Sequence, residues 1–153
     1  VEHVFARNAD MVKEAINTFI ASMPLAVKTE SGLMCCHSLP NEVMMPEFNE
    51  HIFERALDSD DYRSDGSAYF LVWGRQHTQK QLNILAKSWG VKLFCLGHAW
   101  VPEGIRAEFK NMLQLNSDHA KGVVLPINLE KIHDAKYTAS TAIKLGTVRI
   151  DVT

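Results

Sequence analysis

Residues 78–98 constrain the fold more tightly than any other stretch of the chain. Thr78-Gln79-Lys80-Gln81 has the form of a capping box, in which a Thr hydroxyl and a Gln amide satisfy each other's orphan backbone donors. Leu82, Leu85, Ala86 and Trp89 then recur at helical spacing, and Gly90 supplies the residue that most easily closes a helix in the left-handed conformation. Residues 91–96 follow as an apolar run of strand length, ended by Gly97-His98. Just upstream, residues 68–73 form a second apolar, aromatic run closed by Gly74, which reads as a strand. A strand–helix–strand unit is therefore the predicted centre of the fold.

The flanking segments add to it. Met11, Val12, Ala15, Ile16, Phe19 and Ile20 lie on one helical stripe, with Asn8 or Asp10 as N-cap and Pro24 as the stop. The runs 25–27 and 33–36, separated by Thr29-Glu30-Ser31-Gly32, predict a hairpin. Ile52, Phe53, Ala56 and Leu57 predict a short helix, and the acidic stretch 59–66 a surface loop. Strands are expected over 112–115 and 123–127. Ile143, Leu145, Val148 and Ile150 alternate around Gly146 as a final hairpin. The sum is an α+β class with a mixed, strand-rich core in one domain spanning 1–153.

Composition excludes several functions. With 153 residues, 46% hydrophobic, the chain has material for one core, and a net charge of -2 gives no electrostatic case for nucleic acid or a membrane surface as partner. No apolar run approaches the roughly 18 residues of a membrane span, and no signal-peptide pattern opens the sequence. Three cysteines, with Cys35 and Cys36 adjacent, make a poor disulfide framework, so a reducing, cytoplasmic setting is expected, with all three thiols in strand cores.

His37 and His98 stand out by position, because each follows an apolar strand run where the backbone turns outward. Two neutral imidazoles presented in that way suit a transition metal; equally, each could cap a strand end by hydrogen bonding. His119 sits in the polar loop Asn116-Ser117-Asp118-His119-Ala120-Lys121-Gly122, a common place for binding groups as well as an ordinary solvated turn. Arg75 follows Gly74 and is suited to meeting an oxyanion bidentately. His3, His51 and His133 lie in segments without convergence. A Cys36–His37 nucleophile is disfavoured, since neighbouring strand residues face opposite sides.

Four segments together resemble the phosphoprotein-phosphatase branch of the calcineurin-like metallophosphatases, in a bacterial form. Residues 33–40, Leu-Met-Cys-Cys-His-Ser-Leu-Pro, resemble that family's strand and "C-H-G-G-L-S-P" turn. Residues 19–26 resemble the preceding "F-x-x-L-P-x-A" segment. Residues 94–104, Phe-Cys-Leu-Gly-His-Ala-Trp-Val-Pro-Glu-Gly, resemble the "R/G-H-Q-x-x-x-x-G" turn, and 113–129 the later strand–loop–strand. The resemblance implies a four-layer α/β/β/α sandwich with mixed sheets. It further implies a dinuclear centre of Mn, Fe or Zn, with His37 and His98 as ligands of one metal and in-line attack of a metal-activated water on phosphorus. Arg75, with Arg63 as the alternative, and His119 are the candidates for binding the substrate phosphate, although the motif places neither Arg, and no catalytic residue is assigned in this chain.

The departures are equally informative. The motifs "G-D-x-H-G", "G-D-x-x-D-R-G" and "G-N-H-E" that carry the family's other ligands do not occur, so the chain reads as a C-terminal half needing an N-terminal half in cis or trans. Ser38-Leu39 stands where the family has Gly-Gly, and Ser67 stands nearest the place of its phosphate-binding Arg. The expected function is a phosphoric ester hydrolase, a serine/threonine phosphatase among the candidates. The alternatives are a non-catalytic binding or regulatory module on part of the same fold, and a mononuclear metal protein built from His37, His98 and His119.

Overall fold

Thr78 caps its helix as the sequence predicts. In the computed structural model, which describes residues 1–147, the Gln81 N–H donates to the Thr78 hydroxyl at 3.2 Å and the Thr78 N–H to the Gln81 side chain at 3.4 Å. Gly90 closes the helix at φ 63°, in the left-handed region. The elements in chain order are α1 (Glu2–Phe5), α2 (Ala9–Ala21), β1 (Ala26–Lys28), β2 (Leu33–Cys36), α3 (Ser67–Trp73), α4 (Gln79–Trp89), β3 (Leu93–Leu96), β4 (Ile105–Phe109), β5 (Met112–Leu115), β6 (Val123–Val124), α5 (Ala135–Ser140) and β7 (Ile143–Lys144), with 3-10 turns at Ala6–Asn8, Ile52–Glu54 and Leu145–Thr147. The fold is α+β.

Five strands form one mixed sheet in the order β1-β2-β3-β5-β4. The expected hairpin pairs β1 with β2 antiparallel, while β2, β3 and β5 run parallel and β4 returns antiparallel on β5. Alternation divides the strand residues between two cores. Met34, Phe94, Leu96 and Met112 pack with Leu71, Leu82 and Leu85 from the two helices that link β2 to β3. Leu33, Leu93, Cys95 and Leu113 pack with Ala135 of α5 on the other side.

Three expectations change. Residues 68–73 are helical: α3 buries Ser67, Ala68, Phe70 and Leu71, a set spaced by three and four. A short apolar run carries no period that separates a buried strand from a buried helix. Here Gly66 opens a helix, with Phe70 N–H bonding to the Gly66 carbonyl at 3.1 Å. β4 was not anticipated from the sequence, although Ile105, Ala107 and Phe109 alternate with Arg106 and Glu108. Of 123–127, only Val123–Val124 pair as a strand, against β7. The expected final hairpin around Gly146 would need Val148 and Ile150, which lie outside the described residues; Ile143–Lys144 pairs with β6 instead, and Leu145–Thr147 forms a 3-10 turn.

The α2 stripe forms its helix but finds no core. Met11, Phe19 and Ile20 remain 66%, 65% and 58% exposed. Among the described residues no helix is long and apolar enough to cross a membrane.

Candidate functional site

β2 and β3 end side by side, Cys36 opposite Leu96, so the residues that follow leave the sheet together. Two devices turn them toward each other. His98 adopts φ 58°, an uncommon conformation for a side chain with a Cβ, and its carbonyl-side neighbours close a tight turn through Ala99 N–H to the Gly97 carbonyl at 2.7 Å. The chain after His37 is clamped to α3: the Ser38 N–H donates to the Leu71 carbonyl at 2.9 Å and its hydroxyl to the Gly74 carbonyl at 2.5 Å. The outcome is a direct contact, with His37 Nε2 2.6 Å from His98 Nδ1. The ring centroids stand 4.6 Å apart at 71°.

At that distance one imidazole donates to the other. Trp73 packs its ring edge against His98 at 5.7 Å. Burial, then the Arg75 guanidinium, then His37 hold the His98 imidazole below its ordinary value, which keeps it neutral at pH 7. His98 Nε2 is buried without a hydrogen-bond partner among the described residues.

Two concavities flank the pair. On the His37 side an apolar groove of about 530 Å³ runs between α2 and α3, walled by Pro24, Leu25, Tyr62, Tyr69 and Trp73. On the His98 side a smaller cavity of about 180 Å³ is bounded by Ser38, Arg75, His98, Arg106 and Gln114. Arg75 reaches it from the turn after α3, its guanidinium 5.6 Å from the Trp73 ring and one N–H on the Trp73 carbonyl at 3.0 Å. Arg106 reaches it from β4, its Nε on Gln114 Oε1 at 2.9 Å with Nη2 on the same oxygen.

His119 lies apart from this cluster. Its Nε2 donates to the Val101 carbonyl at 3.0 Å, its Nδ1 accepts the Lys121 N–H at 3.1 Å, and it lines neither concavity. His3 and His51 are exposed, and His133 stacks on Tyr137 at 4.1 Å. Sequence reasoning missed Arg106 and Gln114; the period-two alternation of 105–109 was the signal that would have placed Arg106 on a strand face.

The cysteines divide by environment. Cys35, expected in the core, is exposed, although Leu33 on the same face of β2 is buried. A hydrogen bond from Cys95, its partner across the strands, outweighs burial and lowers the Cys35 thiol to about 7. Cys36, on the opposite face, is pushed up to about 12 by burial and by Cys35. Cys95 is raised by the same Cys35 contact and by burial.

Among the described residues no group of three or more His, Cys, Asp or Glu side chains is placed to hold a metal ion, so the imidazole pair offers two ligands and no third. No family model matches the chain, and no curated protein matches it.

Proposed function

We propose that this chain is the ligand-bearing C-terminal half of a cytoplasmic dinuclear metallophosphoesterase, with His37 Nε2 and His98 Nδ1 holding one divalent cation. The observation that supports the reading is the 2.6 Å approach of those two nitrogens at the ends of adjacent parallel strands. His98 also holds a left-handed backbone, φ 58°, at the point where its ring meets His37, and uncommon backbone of that kind is found at binding sites. The donor set fits a cation of the Mn, Fe or Zn type, since both ligands are imidazoles and His98 is held neutral.

When bound, the metals would supply an activated water and neutralise charge on the phosphoryl oxygens. This chain's own part is narrower. His37 and His98 fix the position of one cation, Trp73 fixes the plane of His98, and Arg75 stands where a phosphoryl oxygen beside that cation would be met. Carboxylate ligands and the second position belong, on this reading, to an N-terminal half of a four-layer sandwich, and the substrate is a phosphorylated protein or small molecule.

The test is titration of the purified chain with Co²⁺, followed by its visible spectrum and by the imidazole NMR resonances. Both His37 and His98 are expected to shift together, while hydrolysis of p-nitrophenyl phosphate by this chain alone stays near background. Resonances that do not respond at saturating metal sink the proposal. The absence of a third ligand among the described residues favours the second reading, a binding or regulatory module on the same fold. That module would keep its ligand affinity in EDTA and gain no hydrolysis when the complementary half is supplied.

A further inference from the structure

The cavity on the His98 side carries two guanidinium groups and no carboxylate. Its walls come from four places: Ser38 after β2, Arg75 after α3, the turn through His98 after β3, and Arg106 with Gln114 on β4 and β5. Two cations facing one small space repel each other unless an anion or water answers them. Among the described residues each keeps unspent donors. Of the five N–H groups of a guanidinium, Arg106 places two on Gln114 and so keeps three, with Glu108 the nearest acid at 3.8 Å from its Nε. Arg75 places one on the Trp73 carbonyl and keeps four.

The orientation of Arg106 is built, not incidental. Arg106 and Gln114 are Cα partners across β4 and β5, and Gln114 is 8% exposed. A buried amide oxygen gripping Nε and Nη2 fixes the plane of the fork and leaves Nη1 at its open end. The cavity of about 180 Å³ also far exceeds the roughly 10–15 Å³ that one water needs on this measure.

We infer that Arg75 and Arg106, the latter oriented by Gln114, form a binding site for a tetrahedral oxyanion of phosphate size beside the histidine pair. Planar forks matching anion oxygens are the arrangement that favours phosphate over water here. As the seat of a substrate phosphate the site rests on the reading proposed above; as an anion site it needs no metal.

The experiment is calorimetric or ³¹P NMR titration of the full chain with inorganic phosphate in EDTA, comparing wild type with Arg75→Gln, Arg106→Gln, Arg106→Lys and Arg63→Gln. Losing one guanidinium should weaken binding about tenfold or more, as expected for a charge-assisted hydrogen bond. Arg63→Gln, which removes an exposed cation in the acidic loop, should leave binding unchanged. Arg106→Lys keeps the charge and loses the fork, so it should fall between wild type and Arg106→Gln. It decides the matter if the Gln variant melts. Phosphoserine competes for the site if an ester headgroup is the ligand and fails to compete if only free phosphate fits; either result supports an oxyanion site and identifies its source. No phosphate binding in wild type, or binding that both Gln variants leave within about twofold, overturns the inference. A parallel Co²⁺ titration separates the two claims: phosphate bound without any metal response sinks the metal reading alone, and the converse sinks this one alone.

Discussion

Removing one imidazole of the pair should cost almost as much metal affinity as removing both. Two nitrogens that share a cation at about 2.0–2.1 Å, with an angle of about 90–110° at the metal, stand about 2.9–3.4 Å apart. His37 Nε2 and His98 Nδ1 stand 2.6 Å apart, so the pair must open by roughly 0.3–0.8 Å. A small ring rotation gives that, and His37 is exposed enough to make it. The hydrogen bond between the rings is lost in exchange for two metal bonds. Protons report the same event. Binding needs both inner nitrogens bare, so protons compete with the metal for them. Burial, Arg75 and His37 hold the His98 imidazole below its ordinary value, which favours its bare form. Affinity should therefore weaken as pH falls through the histidine range. The assay is Co²⁺ titration across that range for wild type, His37→Ala and His98→Asn; Asn is chosen because it tolerates the left-handed backbone at φ 58°. A flat pH profile, or either variant binding within about twofold of wild type, would refute the shared-cation geometry.

Gly74→Ala should destabilise the chain by about 1–3 kcal/mol or more, because a Cβ there would lie 1.7 Å from the Leu39 carbonyl oxygen; an unchanged urea midpoint would contradict this. Iodoacetamide should alkylate Cys35 with a rate half-maximal near pH 7 and leave Cys36 and Cys95 intact, and Cys95→Ala, which removes the donor, should move that profile upward; peptide mass mapping reads both. Burial holds His77 below its ordinary value near 6.5, so its native form resists protonation. The stability it contributes is present above that value and is lost as pH falls below it, and urea melts should show a loss below about pH 6.5 that His77→Gln reduces.

The parts of the fold that the sequence announced are those whose signals are local. The Thr78 capping box, the left-handed Gly90 and the hairpin around Gly32 depend on neighbours a few residues away, and each forms as read. The ends of β2 and β3 were legible for the same reason, which put His37 and His98 at matching strand termini. What was not legible depends on partners far along the chain. Whether residues 68–73 coil or extend is decided by their packing on Met34 and Phe94. Arg106 became part of the site only because β4 folds back on β5 and Gln114 grips its fork. The α2 stripe shows the opposite failure: its period is right, but the period names a buried face and not what buries it.

The helix at Ser67–Trp73 is the change that assembles the two cavities. Seven residues rise about 10 Å as a helix and about 23 Å as a strand. As a strand, the segment would carry Gly74 and Arg75 roughly 13 Å farther from its start. As a helix it returns Gly74 to the turn after β2, close enough for the Ser38 hydroxyl to reach the Gly74 carbonyl and for Leu39 to press on the Gly74 backbone. Trp73 and Arg75, on either side of that clamp, are thereby set against His98. Ser38 and Leu39 occupy the two positions where the resembled motif has Gly-Gly, and they are the residues that make the clamp: one donates the hydrogen bond, and the other is fully buried. A side chain at each position replaces the freedom of two glycines with a fixed attachment. The departure from the motif and the misread helix are then two halves of one feature, which holds His37 in line with His98 and brings a guanidinium to the pair.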